Sequence, residues 1–171
     1  MIGMAKDSFF IRGFTNGAGG AFVESAIDIG HVVDALGKTV MRIHNVACQI
    51  YEAGPNQEFS IPANSQAVVA WQLTTQPQTA VLAANDRSVI ASGRLDMGNA
   101  SSTANILTYL TDRADVLPQS WTNGYLVGVD QLYLGVWTDA QLSESNVALV
   151  MECTSETLSA SAAMSLALSQ Q

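Results

Sequence analysis

Charge is what this chain has least of. Only 13% of its 171 residues are Asp, Glu, Lys or Arg, about half the usual fraction for a soluble domain. Seven are cationic, and Lys6, Arg12, Lys38, Arg42, Arg87, Arg94 and Arg113 are scattered along the chain. With fifteen acids the net charge is −8. Phosphate recognition needs concentrated positive charge, so no direct nucleic-acid binding is expected. Surface charge also keeps lone domains apart. So much neutral exterior points to a homo-oligomer, a subunit that buries surface against copies of itself.

Histidine is almost as scarce. His31 follows a glycine in a loop-like stretch and His44 lies inside a strand-like run. Their spacing fits neither the i, i+2 of a strand nor the i, i+4 of a helix that would bring two rings to one metal. Both read as structural or exposed. No G-x-S-x-G elbow nominates a nucleophilic serine. Asp28 with Asp34, and Asp112 with Asp115, lack a D-x-D-x-D-G calcium loop and read as solvated loop carboxylates. Glu24 and Glu152 are strand acids with nothing to show that they converge. Gly17-Ala18-Gly19-Gly20 lacks the lysine and helix of a phosphate loop and reads as a turn. Asn99-Ala100-Ser101 matches the N-x-S glycosylation pattern, without a secretory context. Catalytic, cofactor-binding and metal-ligating residues are therefore none, and a non-enzyme without cofactor is expected.

There are two cysteines, Cys48 and Cys153, in separate strand-like runs. They make no metal framework. They read as small buried apolar residues, with a bridge left open should their strands be neighbours. No window holds 18 uninterrupted apolar residues, and no basic stretch precedes an apolar run at the start. No transmembrane segment or leader is expected, and folding in the cytoplasm is.

What the chain does have is a series of runs rich in β-branched and aromatic residues. They are Ser8–Phe14, Ala21–Ile29, Thr39–Tyr51, Ser65–Thr75, Ser88–Asp96, Tyr125–Asp139 and Asn146–Thr154. Residues 105–114 fit a strand or a helical face equally well. Turn clusters separate the runs at Thr15–Gly20, Gly54-Pro55-Asn56 and Trp121-Thr122-Asn123-Gly124, and Pro118 ends the ambiguous piece. Loops around 30–38, 76–87 and 97–104 are long enough to cross between two sheets. The pattern predicts an all-β protein, a single jelly-roll or Greek-key β-sandwich of about eight strands spanning residues 1–157. Residues 158–171 form an uncharged Ala/Ser/Leu-rich tail, a last strand, a short helix or a free arm.

Three tryptophans are read by context. Trp71 sits in an apolar run and belongs to the core. Trp121 and Trp137 lie at the ends of runs, positions that suit either a subunit interface or a sugar-stacking groove. The interface candidates are Trp121, Trp137 and the tail residues Leu158, Met164, Leu166 and Leu168.

The closing run YLVGVDQLYLGVWTDAQLSESNVALVMECT, with TVMRIHNVACQIY and SQAVVAWQLTT before it, resembles the single jelly-roll capsid (coat) proteins of icosahedral viruses. The likeness is one of strand pattern over roughly residues 8 to 154, and no functional residue transfers with it. It implies a structural, self-assembling shell subunit found in the virion and assembled in the host cytoplasm. Its partners would be further copies of itself and other capsid or membrane proteins. Many such proteins that touch a packaged genome carry a basic N-terminal arm, and MIGMAKDSFF holds a single lysine. The alternative is a carbohydrate-binding, lectin-like β-sandwich module.

Overall fold

The computed structural model describes residues 7–34, 36, 38–52, 57–113 and 119–171, with 112 and 113 as backbone only. Gly54-Pro55-Asn56, Asp115 and Pro118 lie outside the described residues. The elements in order are β1 (Phe9–Ala18), β2 (Ala21–Asp28), β3 (Thr39–Tyr51), β4 (Ser65–Thr74), β5 (Val89–Asn99), β6 (Tyr109–Arg113), β7 (Gln119–Val127), β8 (Gln131–Thr138), β9 (Glu144–Thr157) and α1 (Ala160–Ser169).

The strands form two antiparallel sheets, one in the order β1-β9-β3-β7 and the other β2-β8-β4-β5-β6. Strands adjacent in sequence mostly fall in opposite sheets, so the chain crosses the sandwich repeatedly. With β6 set aside, eight strands divide into two four-stranded sheets, β1-β9-β3-β7 and β2-β8-β4-β5, as in a jelly roll. The fold expected from the sequence is the one observed, with β6 added at the outer edge of the second sheet.

Alternation along the strands builds the core. On β9, Val147, Leu149, Met151 and Cys153 are buried while Ala148, Val150 and Glu152 turn outward. On β4, Ala67, Val69, Trp71 and Leu73 face inward. They meet Leu132, Leu134 and Val136 of β8, and Met41, Ile43 and Val46 of β3, in one continuous cluster. Each such side chain contributes roughly 1.5–3 kcal/mol by leaving water. Cys48 and Cys153 are both within this sandwich and are not bridged. Cys48 stands opposite Leu149, whereas Cys153 stands opposite Ile43, so the register holds them apart.

Several local expectations are corrected. Tyr125–Asp139 is not one strand. Gly128-Val129-Asp130 turns the chain from one sheet into the other between β7 and β8. Trp121–Gly124, read as a turn, lies inside β7, where Gly124 takes φ +72° beside the Arg42 side chain. At Thr15–Gly20 strand β1 continues to Ala18, and only Gly19 and Gly20 form the corner. The 76–87 and 97–104 stretches do not cross the sandwich, because each joins strands of the same sheet.

The tail is a helix. Ser159 caps it, its hydroxyl accepting from the Ala162 N–H at 3.2 Å, the usual N-cap service. Ala163, Ala167 and Gln170 are buried. Leu166 rests over Gly128, where an added Cβ would come within 3.0 Å of it. Gln170 fastens the C-terminal end, its Oε1 accepting from the Gly128 N–H and its Nε2 donating to the Leu126 carbonyl, both at 2.8 Å.

Candidate assembly interface

The residues weighed for catalysis do not converge. Glu24 and Glu152 lie on opposite outer faces of the sandwich. Glu24 stands opposite Gly135 on β8 and accepts the Gln78 N–H at 3.0 and 3.2 Å. Burial raises the Glu24 pKa, partly opposed by that hydrogen bond. Glu152 accepts from Asn45 Nδ2 at 2.9 Å. His44 occupies a β-bulge, where the register shifts between Ile43 and Asn45, and its Nε2 meets Thr154 Oγ1 at 2.9 Å. His31 is an exposed turn residue, and Asp28 Oδ1 accepts from the Gly30 N–H at 2.9 Å. Among the described residues no three His, Cys, Asp or Glu side chains gather at a metal-sized site. Nor is any helix long and apolar enough to cross a membrane. Asn99 is not presented for glycosylation. It is buried, its Nδ2 donating to the Ile61 and Thr103 carbonyls and its Oδ1 accepting from Ser101.

What the surface carries instead is exposed apolar side chains, gathered in separate places. On β1 the large residues fall in both phases of the strand. Phe9 and Ile11 pack on the core, while Phe10 and Phe14 point outward, 56% and 51% exposed. Across β9 they face Glu152 and Ala148, with Arg12 and Val150 paired between them. The strand is also an edge of its sheet.

A second cluster surrounds β6, the edge of the other sheet. Ile106, Leu107, Tyr109 and Leu110 are all exposed there. The Tyr109 ring lies directly over Gly98, where a side chain would collide with it. A third occupies α1, whose Met164 and Leu168 form an exposed i, i+4 pair. Leu36, on the β2–β3 connection, shares an open hollow of about 620 Å³ with Ala167 and Gln171.

Of the six interface residues named from sequence, Met164 and Leu168 stand together on the exposed face of α1. Leu166 turns inward against the β7–β8 turn and Leu158 is half-buried, its N–H donating to the Lys38 carbonyl at 2.8 Å. Trp121 lies on β7, half-buried against the core, its ring 5.9 Å from that of Tyr125. Trp137 projects from the outer face of the second sheet, on the far side of the sandwich. The two tryptophans are therefore not brought together. The exposed Phe10, Phe14 and the β6 cluster are not among those six. The available signal was in Phe9-Phe10-Ile11, where consecutive large apolar residues require both faces of the strand to be covered.

A connection after β4 also covers the second sheet. Gln72 is fully buried although it points away from the sandwich core. Its Nε2 donates to the Ala80 carbonyl at 3.0 Å and its Oε1 accepts from the Leu82 N–H at 2.7 Å. With the Glu24–Gln78 contact these bonds strap residues 76–82 over the sheet. Gly135 leaves room beneath for the Phe22 ring.

No family model matches the chain, and no curated protein does. Two solved structures align along nearly its whole length. One, from Desmodium yellow mottle tymovirus, covers 92% of each chain at 8% identity and a TM-score of 0.34. The other, from turnip yellow mosaic virus, covers 90% of this chain and 95% of that one, again at 8% identity and 0.34. The jelly-roll assignment rests on the strand order described above.

Proposed function

We propose that this chain is a structural subunit that assembles with copies of itself into a closed icosahedral shell, as a viral capsid protein of the virion. The supporting observation is the dispersal of its exposed apolar clusters. Phe10 and Phe14 lie on the edge of one sheet, Leu110 on the edge of the other with Leu107 just before it, and Met164 and Leu168 on a terminal helix. A ligand site gathers such residues in one place, whereas a shell subunit must meet neighbours on several sides. Covering one exposed Phe or Leu contributes about 1.5–3 kcal/mol before the cost of association. Each contact is thus weak alone and effective when a closed shell repeats it. Other capsid or membrane proteins are compatible partners, and the seven cations are scattered along the sequence rather than clustered for a genome.

Paired substitutions test the reading. Phe10→Ser with Phe14→Ser, Leu107→Ser with Leu110→Ser, and Met164→Ser with Leu168→Ser each remove one cluster. Sedimentation velocity is expected to show smaller particles for each pair, with far-UV circular dichroism unchanged. Particles of wild-type mass from all three pairs would defeat the reading.

A further inference from the structure

The outer face of the five-stranded sheet carries a cleft that shell contacts leave unexplained. Its floor is a single cross-strand row. Phe22 pairs with Trp137, Trp137 with Ala70, and Ala70 with Arg94, so four strands present four side chains side by side. Strands are spaced by about 4.8 Å, which sets the roots of Trp137 and Arg94 roughly 10 Å apart with only a methyl between them. Asp139 borders the same hollow, fixed by its N–H donating to the Val68 carbonyl at 2.9 Å. The facing wall is Thr79, Ala80 and Val81 of the strap that Gln72 holds down. The cleft is open to solvent and its volume is about 360 Å³, at the small end of ligand-sized pockets.

The lining combines a flat indole, 38% exposed, with a guanidinium, a carboxylate and a small apolar floor. A pyranose ring is complementary to that set, since it has an apolar C–H face and a rim of hydroxyls that both donate and accept. Charge decides which sugar. Arg94 Nε donates to Asp96 Oδ1 at 3.2 Å, which offsets its charge. Asp139, whose Oδ1 accepts from the Gln141 N–H at 3.0 Å, adds a further carboxylate to the lining, so the net negative charge disfavours an anionic sugar. We propose that this cleft binds a neutral pyranose, its C–H face on Trp137 and its hydroxyls between Arg94 and Asp139. The strap is held by hydrogen bonds from the buried Gln72 side chain, so the site is preformed and little ordering cost attends binding. The inference does not depend on assembly.

Saturation-transfer NMR and tryptophan emission, with methyl glycosides of glucose, galactose and mannose as probes, test it on the full chain. At least one is expected to bind saturably, with a dissociation constant of roughly 1 mM, typical of a small shallow site. Trp137→Ala and Ala70→Met, the latter filling the notch but keeping the indole, should each weaken binding about tenfold or more. Trp121→Phe should leave it unchanged, and thermal melts confirm that each variant folds. If Trp137→Ala does not fold, Trp137→Phe and Ala70→Met carry the test. Three results would overturn the assignment: no transfer from any neutral glycoside, full binding in the folded variants, or selective binding of N-acetylneuraminic acid or choline instead.

Discussion

The side chain of Gln170 occupies the backbone of the β7–β8 turn at Gly128, accepting its buried N–H at 2.8 Å and donating to Leu126 two residues earlier. Beside the packing of Ala163, Leu166 and Ala167, this carboxamide ties the last helix to the sandwich. Gln170→Ala would strand the Gly128 N–H without a partner, a cost of about 1–3 kcal/mol. The melting temperature should fall by several degrees, and the Gly128 amide should lose protection from hydrogen exchange. Unchanged protection would show that α1 docks by other means.

At the β1–β2 corner, Gly19 lies against the Leu142 backbone carbonyl so closely that a Cβ would overlap it. A backbone oxygen cannot swing aside as a side chain can. Gly19→Ala is therefore expected to cost about 3 kcal/mol or more, lowering the melting midpoint by roughly 10 °C. A shift of only a degree or two would mean that this corner is looser than described.

Burial, aided by the neighbouring Glu152 charge, pushes the Cys153 thiol up to about 12 from its ordinary 9.0. The folded protein holds that proton more tightly than the unfolded chain. The associated stability is complete below pH 9 and is lost as pH rises toward 12. In a Cys48→Ser background, a thiol reagent at pH 8 should label Cys153 only after denaturant is added. Rapid labelling of the folded protein would contradict the buried placement.

Glu24 shifts in the opposite sense for a carboxylate engaged by a hydrogen bond, because desolvation outweighs the Gln78 N–H. A raised carboxylate binds its proton more readily when folded. Stability therefore declines as pH rises from the ordinary 4.5 through the folded value. Glu24→Gln should remove that slope just above pH 4.5 and cost nothing at neutral pH. Urea titrations of both proteins across this range make the check, and parallel curves would refute it.

The sequence made the sandwich legible because its apolar residues alternate. In NVALVMECT, Val147, Leu149, Met151 and Cys153 are buried between half-buried neighbours, and in SQAVVAWQLTT, Ala67, Val69, Trp71 and Leu73 supply the core face. It failed where the local pattern ignores the third dimension. Gly128-Val129-Asp130 interrupts a run whose apolar residues continue on both sides, so two strands looked like one. Gly124 resembles a turn residue, yet it serves a left-handed backbone position inside β7. Helix α1 was ambiguous because small residues let it dock through Ala163 and Ala167 rather than through an apolar stripe. Which apolar side chains are exposed was unevenly legible for the same reason. Met164 and Leu168 were visible in a charge-free tail, but the outward phase of Phe10 and Phe14 depended on which face β1 would bury. The cleft beside Trp137 was out of reach, since only the pairing of β8, β4 and β5 sets Trp137, Ala70 and Arg94 in one row.

The proposed shell role requires self-association through dispersed apolar clusters. Light scattering after gel filtration, with negative-stain electron microscopy of the same fraction, measures it most directly. Capsomers or closed shells of many subunits are the expected result. A stable 18.1 kDa monomer at all concentrations would contradict it.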